Sequence, residues 1–491
     1  MIDVAMQMAP GFQAPYDRVG QWWEETHTGA PPVADWTPGN DEWNATQYLV
    51  NLPGQGVGPL SGVTLAVKDS IRIAGVPLAY GSRLVAGHSA DSSATVVHRA
   101  LTAGAVITHT GRADNLGLAI TGDQSYAGPV LNPWNPGHTT WGSSAGAAAL
   151  VAADVVQAAI LVDQAGSGRA PAAGCGLAAL MPTRGLLPMT GILGLTTVQD
   201  RVVVASRRTA TVAQLASVIS GSDGYDLKCG PEAPPRDWTA VSGDVRGLRI
   251  GLVTESLDHR MCDPVVADRV RDRAEKLEAI GATVREVSVP HYADAAALAL
   301  VLTVQQGIPD LLTGGLGGDT SVLTGDPALA HRFSRLRRPD RTSESSDRCA
   351  EWLAPTVQLC AAAASHDGGQ APGVWIAASM GLIPRLTEAF TGHFSGVAAV
   401  DVLMTPTVPS PPPAIPDDDM STFDLLSRAM SPGILHTCAH NLTGLPAGNC
   451  PAGLVDGLPV GIQVVAPALR EDQVVRVLSA LEPEGGFPAA R

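Results

Sequence analysis

Short apolar runs, separated by glycines and by stretches of helical period, set the rhythm of this chain. Val63-Thr64-Leu65-Ala66-Val67 is β-prone and predicts a buried strand ending at Lys68. Over residues 93–104, Ala94, Val97, Leu101 and Ala105 fall near helical spacing. Gly104 ends that helix, and Ala105-Val106-Ile107-Thr108 predicts the next strand. The same order returns downstream. Leu248–Val253 predicts a strand, Asp263–Leu277 an amphipathic helix opened by Asp263-Pro264, Gly281 its stop, and Ala282–Val287 another strand. Further strands are expected at Ala158–Val162 and at Val402-Leu403-Met404, the latter running into a Pro-rich loop. Repeated α–β alternation argues for a layered α/β fold.

Two regions break the rhythm. Residues 1–50 carry Pro, Trp and acidic residues without a clean period, and read as an N-terminal helical segment leading into a domain over 51–485. Residues 308–375 are the least regular, with Gly314-Gly315-Leu316-Gly317-Gly318 and a Ser/Arg/Asp-rich segment. They read as part of a variable insertion, at about 300–390, over the active site. No internal repeat of solenoid length is present.

Composition narrows the class. A length of 491 residues exceeds the ~250–300 of one ordinary core, so it points to two or three units or to one sheet built from a long chain. With 45% apolar and 16% charged residues, the chain can bury a large core. A formal net charge of −15 and the lack of a basic stripe argue against nucleic-acid binding. The cluster Arg332, Arg335, Arg337, Arg338 and Arg341 reads as a solvated face. No apolar run is long enough to span a bilayer, and the first thirty residues do not read as a signal peptide. The seven cysteines are scattered without a C-x-x-C pair, which suggests neither a zinc site nor a disulfide framework and fits a reducing cytoplasm.

Residues 139–190 are crowded with Gly, Ala and Ser. Taken alone, each Gly/Ser cluster reads as structural. A turn of small residues after a strand also leaves backbone N–H groups free to hold an oxyanion, beside a hydroxyl that can attack a carbonyl. Ser167 lies in such a turn. Ser143-Ser144 opens a predicted helix, where the plain role of Ser144 is an N-cap. A serine needs a base, and the twelve histidines lie in no tell-tale motif. The other available base is a lysine held neutral by burial, and Lys68, at the end of an apolar strand, fits. Alone, Lys68 reads equally as a buried-stem lysine that snorkels to water.

The run Gly142-Ser143-Ser144-Ala145-Gly146, continued by Asp163-Gln164-Ala165-Gly166-Ser167-Gly168-Arg169-Ala170-Pro171, resembles the signature of the amidase-signature family. So do Pro59-Leu60-Ser61-Gly62 with Lys68-Asp69-Ser70-Ile71, and the segment Asn132-Pro133-Trp134. The closing motifs Asn441–Ala447 and Gly457–Gln463 complete the likeness, which spans about residues 58–482. The separations Lys68–Ser143 (143 − 68 = 75) and Ser143–Ser167 (167 − 143 = 24) match those of the family's Ser–cisSer–Lys triad.

The resemblance implies a central mixed twisted β-sheet with helices on both faces. It implies hydrolysis of a small-molecule amide through an acyl-serine, without cofactor or metal, by a cytoplasmic protein for which a homodimer is common in the family. Ser167 is then the nucleophile, Ser143 the relay beside a cis peptide bond, and Lys68 the base. The N–H groups of Gln164, Ala165, Gly166 and Ser167 form the oxyanion hole, while Ser144, Asp163 and Arg169 brace the loop. Asp163-Gln164 leans toward bacterial amidases of the nitrile-degrading type. Trp141, Ala145, Ala165 and Gly168 depart from the family pattern. Alanine at 165 is strained if that position needs φ > 0, and Trp141 is a candidate wall of the substrate pocket. Rival readings are a Ser–His–Asp hydrolase using Ser144 of Gly142-x-Ser144-x-Gly146, a catalytically weak or inactive accessory protein, and a transamidase subunit that feeds ammonia to misacylated tRNA.

Overall fold

Interior strands of this protein are apolar on both faces because both faces are covered. The computed structural model describes residues 34–490 apart from 231–232, 259, 313–328, 330–353, 365–371, 418–419, 422–423 and 425–431, together with residues 18 and 21. Twelve strands form one sheet: β1 (Trp36–Pro38), β2 (Thr46–Leu52), β3 (Thr64–Lys68), β4 (Val106–Gly111), β5 (Ala158–Asp163), β6 (Ala178–Met181), β7 (Arg201–Ser206), β8 (Arg249–Val253), β9 (Thr283–Val287), β10 (Val402–Pro406), β11 (Ala447–Val455) and β12 (Leu458–Val465). Their spatial order is β1-β2-β4-β3-β5-β7-β6-β11-β12-β10-β8-β9. β3 runs parallel to β4 and β5, and β8 parallel to β9 and β10; the remaining pairs are antiparallel, so the sheet is mixed.

Side-chain alternation sorts the two cores. Ile160, Val162, Val202, Val204, Ile462 and Val464 pack with the helices Thr95–Thr102, Thr209–Ile219, Pro264–Ala279 and Glu471–Leu481. Ala159, Leu161, Val203, Ala205 and Val465 pack on the opposite face with the helices Ala145–Ala152, Asp294–Leu302 and Cys438–Thr443. The helix Ala145–Ala152 is built from Ala, Gly, Leu and Val and is buried all round, so its small side chains let it lie close to the sheet.

Most predicted elements fall where the pattern puts them. The helix over 93–104 is Thr95–Thr102, and Gly104 follows it at φ +94, where an added Cβ would meet Ser61 Oγ at 2.7 Å. Asp263 caps the helix Pro264–Ala279 by accepting from Val265 N at 2.9 Å. The expected helical segment over 1–50 needs correction. Trp36–Pro38 and Thr46–Leu52 are strands at the sheet edge, paired antiparallel with each other. Tyr48 and Val50 are buried against the helix-covered sheet, which the local pattern does not disclose. Apart from residues 18 and 21, the first 33 residues lie outside the described ones, as does much of the expected insertion and the whole arginine cluster at 332–341. Among the described residues, no helix is long and apolar enough to cross a membrane.

β3 and β5 are parallel neighbours, with Leu65 opposite Ala158 and Val67 opposite Ile160. Lys68 and the loop after Asp163 therefore emerge at the same edge, at strand carboxyl ends, where open α/β sheets place ligands.

Candidate active site

Lys68 closes β3 and is wholly buried, with its Nζ 2.8 Å from Ser143 Oγ and 5.7 Å from the ring centre of Tyr80. Burial lowers the Lys68 ammonium to about 8, while the nearby Asp69, Asp114, Asp163 and Asp200 hold it from falling further. Those carboxyls respond in turn. Burial lifts Asp69 to about 7 against the pull of Lys68, and lifts Asp114 to about 7 and Asp200 to about 6. Asp69 accepts from Gly81 N at 3.3 Å, and Asp114 accepts from Gly122 N and Gln124 N, each at 2.9 Å. Asp200 Oδ2 takes Leu195 N and Thr196 N, while its buried Oδ1 has no hydrogen-bond partner among the described residues.

Ser143 follows a cis peptide bond from Gly142. Asp114 N donates to Ser143 O at 3.1 Å, and the Asp114 carboxylate lies so close to Gly142 that a Cβ there would collide with it. Ser144 occupies the N-cap position of the helix Ala145–Ala152 but caps nothing with its side chain; its hydroxyl donates to Val162 O at 3.0 Å. Among the described residues, no histidine is a hydrogen-bond partner of Ser144, so the Ser–His–Asp reading finds no base there. His436 is buried and pushed down to about 3 by desolvation, with its Nδ1 against Tyr292 OH.

Ser144 N donates to Ser167 O at 3.1 Å, which ties the two serine loops together. No hydrogen bond joins the Ser143 and Ser167 hydroxyls in this structure; Ser167 instead lines a cavity. Catalytic hydrogen bonds are often long before substrate is bound.

The loop from 163 to 169 is held from behind by an ion pair sealed from water. Arg169 Nε donates to Asp163 Oδ2 at 2.9 Å and its Nη2 to Asp163 Oδ1 at 3.0 Å, both side chains being fully buried. The other donors of Arg169 reach Gln463 Oε1 and Asn441 Oδ1, each at 2.6 Å, and Asn441 Nδ2 returns to Asp163 Oδ1 at 2.9 Å. Burial alone would raise Asp163, yet the Arg169 charge and these hydrogen bonds bring it down to about 2.

One expected oxyanion donor is already engaged: Gly166 N donates to Asp163 Oδ1 at 2.7 Å, because the carboxylate sits inside the turn. Gly168 N and Arg169 N also go to Asp163, which leaves the N–H groups of Gln164, Ala165 and Ser167 without a protein acceptor among the described residues. The positive φ of this turn falls on Gly166 (+131), where a Cβ would run into Thr437, and not on Ala165, so alanine at 165 carries no left-handed strain. Trp141 is the departure that does adopt positive φ, at +62. It is buried with Ile120, Ala170, Ala173 and Val408, and it stands outside the cavity lining. It therefore backs the pocket wall and is not the wall expected from sequence.

The cavity of about 80 Å³ is lined by Gln164, Ala165 and Ser167 from the loop together with Ile120, Leu195 and Leu300. Gln164 Nε2 donates to Tyr80 OH at 3.1 Å, so a cavity residue and the ring beside Lys68 touch. Sequence reasoning missed Tyr80, Asp114 and Asp200, which carried no local signal. It gave no role to Asp69, Asn441 or Gln463, although all three stand inside recognised motifs.

A mixed sheet with helices on both faces, and a sealed lysine–serine pair beside the end of β3, define an α/β fold with a buried charged centre. The chain belongs to the amidase family: the family model described as Amidase matches residues 33–475. It is 34% identical over 471 residues to an enantioselective amidase of Rhodococcus rhodochrous, covering 93% of this chain and 87% of that one. It is 32% identical over 451 residues to a glutamyl-tRNA(Gln) amidotransferase subunit of Halobacterium salinarum, covering 89% of this chain and 99% of that one. Among solved structures, the peptide amidase of Stenotrophomonas maltophilia superposes with a TM-score of 0.67 at 25% identity, over 88% and 85% of the two chains. A 6-aminohexanoate cyclic dimer hydrolase complexed with substrate gives 0.72 at 25%, over 88% and 87%.

Proposed function

We propose that this protein hydrolyses a carboxylic amide through an acyl-serine, with Ser167 as nucleophile, Ser143 as proton relay and Lys68 as base. The observation that carries the reading is the 2.8 Å contact between Lys68 Nζ and Ser143 Oγ, wholly buried, with the lysine drawn down to about 8. A lysine near 8 is partly neutral at mildly alkaline pH and can take a proton, as a solvated lysine cannot.

In the acylation step Ser167 Oγ forms a bond to the amide carbon, its proton passes to Ser143 Oγ, and the Ser143 proton passes to Lys68 Nζ. The negative charge arising on the carbonyl oxygen is met by the free N–H groups of Ala165 and Ser167, with Gln164 beside them. Collapse breaks the C–N bond, and the proton held by Lys68 returns through Ser143 to the leaving nitrogen. Water then repeats the sequence on the acyl-serine, releasing the acid. The Asp163–Arg169 pair holds the loop without touching the reacting atoms.

A Ser167→Ala variant measures the reading directly. It is expected to lose all labelling by a fluorophosphonate and at least about a thousandfold in kcat/KM on any amide the parent hydrolyses; parent-level turnover refutes the assignment. A second reading, transfer of ammonia within a larger complex, rests on the likeness to the amidotransferase subunit of Halobacterium salinarum.

A further inference from the structure

We propose that Tyr80 is a positioning residue that ties the base to the oxyanion loop: its ring face holds the Lys68 ammonium, and its hydroxyl fixes the Gln164 side chain beside the Ser167 cavity. This rests on the reading of Lys68 as base and Ser167 as nucleophile, and adds a residue to it.

Tyr80 stands in the turn after the two-residue strand Pro77–Leu78, wholly buried, at φ +47. A bulky side chain disfavours that left-handed backbone, and such a residue persists only where its surroundings over-determine it. Here they do. Leu116 N donates to Tyr80 O at 2.9 Å, and the following residue is held as well: Gly81 N donates to Asp69 Oδ2, while Asn115 Nδ2 and Tyr126 N both donate to Gly81 O. Gly117, at φ +68, leaves room for the phenol, since a Cβ there would stand 2.5 Å from the Tyr80 hydroxyl.

The turn aims one side chain at two partners in different halves of the site. Lys68 Nζ lies over the ring, 5.7 Å from its centre, inside the ~6 Å within which an aromatic face attracts a cation. The ring therefore favours the ammonium that Lys68 becomes when it takes the Ser143 proton. Asp69, Asp114, Asp163 and Asp200 act on that ammonium in the same sense, and Ser143 Oγ is its hydrogen-bond partner. Burial, and then the charge of Asp200, push the Tyr80 phenol well above its ordinary value, so it stays neutral and brings no charge of its own. At the far end of the ring, Gln164 Nε2 donates to Tyr80 OH at 3.1 Å. Both neighbours of that hydroxyl, Gly117 and Gln164, line the cavity together with Ser167. Fixing the Gln164 side chain fixes the turn whose N–H groups meet the oxyanion, and a placement of that kind is felt in the transition state.

The experiment uses the full chain and its inactivation by a butyl fluorophosphonate, which yields kinact and KI at each pH without a known substrate. Tyr80→Phe keeps the ring and loses the hydroxyl. Its kinact should fall about threefold to tenfold with KI unchanged, and its pH limb should stay at the parent's position. Gln164→Leu should lose as much, and the two substitutions together no more than either alone. Tyr80→Leu also removes the ring. Its limb should move to lower pH by about half a unit to one unit, because the ammonium loses a favouring contact while the four aspartates remain. Three results each overturn the inference: Tyr80→Phe at the parent's kinact, additive losses in the double variant, or a Tyr80→Leu limb that stays in place or moves up. Each of them, in a parent that is labelled, leaves Ser167 standing as nucleophile. A parent that the fluorophosphonate does not label refutes the nucleophile itself, and the role of Tyr80 with it.

Discussion

Two buried charge clusters flank Ser167, and they are built on opposite terms. Behind the loop, Asp163 and Arg169 saturate each other: the carboxylate takes two guanidinium donors, three backbone N–H groups and the Asn441 amide, and the spare guanidinium donors go to Asn441 and Gln463. On the other side, Lys68 has Ser143 and the face of Tyr80, and the neighbouring Asp69, Asp114 and Asp200 are all raised by burial. The difference separates bracing from chemistry. A fully hydrogen-bonded ion pair fixes its charges and cannot exchange a proton near neutral pH, as the value of about 2 for Asp163 states. A desolvated lysine with one hydroxyl partner can.

The sharpest way to break this comparison is to exchange the roles by mutation. Lys68→Met should lower kcat by at least about a thousandfold while leaving the urea midpoint near or above that of the parent, because it removes a buried charge without opening a large void. Arg169→Met should do the reverse, costing about 3–5 kcal/mol of stability in urea unfolding by leaving Asp163 buried and unpaired. Comparable stability losses in both variants would erase the distinction.

Acid should find the brace first. Asp163 is held near 2 in the folded protein against about 3.9 when unfolded, so its contribution is complete above pH ~4 and is lost as pH falls toward 2. That contribution is about 2–3 kcal/mol, measurable as a drop in unfolding free energy across that window that Asp163→Asn no longer shows. Lys68 has the opposite sign. Its folded value near 8 lies below the unfolded one of about 10.4, so burying it destabilises the protein below pH 8, and this cost fades as pH rises toward 10.

The smallest effect is a shift in the activity profile. The parent kcat/KM should rise with pH and level off above about 8, as Lys68 loses its proton. Asp114→Asn removes a carboxylate that favours the charged lysine, so this limb should move to lower pH by less than about one unit. A limb that stays in place would mean that Asp114 acts only through its contacts with Gly122, Gln124 and the Ser143 backbone.

Lys68 is expected to end a buried strand and does so, because five β-prone residues in a row leave little else for the chain to do. The helix Pro264–Ala279 and its Asp263 cap are legible for the same local reason. The family resemblance nominates Lys68, Ser143, Ser167, Asp163 and Arg169, and folding joins Lys68 to Ser143, the Ser144 backbone to that of Ser167, and Asp163 to Arg169.

What only the tertiary structure decided lies across large separations in the chain. Gln463 and Asn441 reach Arg169 across 294 and 272 positions, and no periodicity reports a contact of that span. The strands Trp36–Pro38 and Thr46–Leu52 are strands because β4 offers its edge to Thr46–Leu52, not because of their own pattern. The Gly166 N–H is withdrawn from the oxyanion site because a carboxylate three residues earlier folds into the turn. Trp141 backs the pocket wall because Ile120 and Ile434, which pack with it, take the lining positions themselves. Local sequence fixes which residue types can form a strand, a cap or a turn; the filling of hydrogen bonds and volume is settled only when distant segments compete for the same donor or the same space.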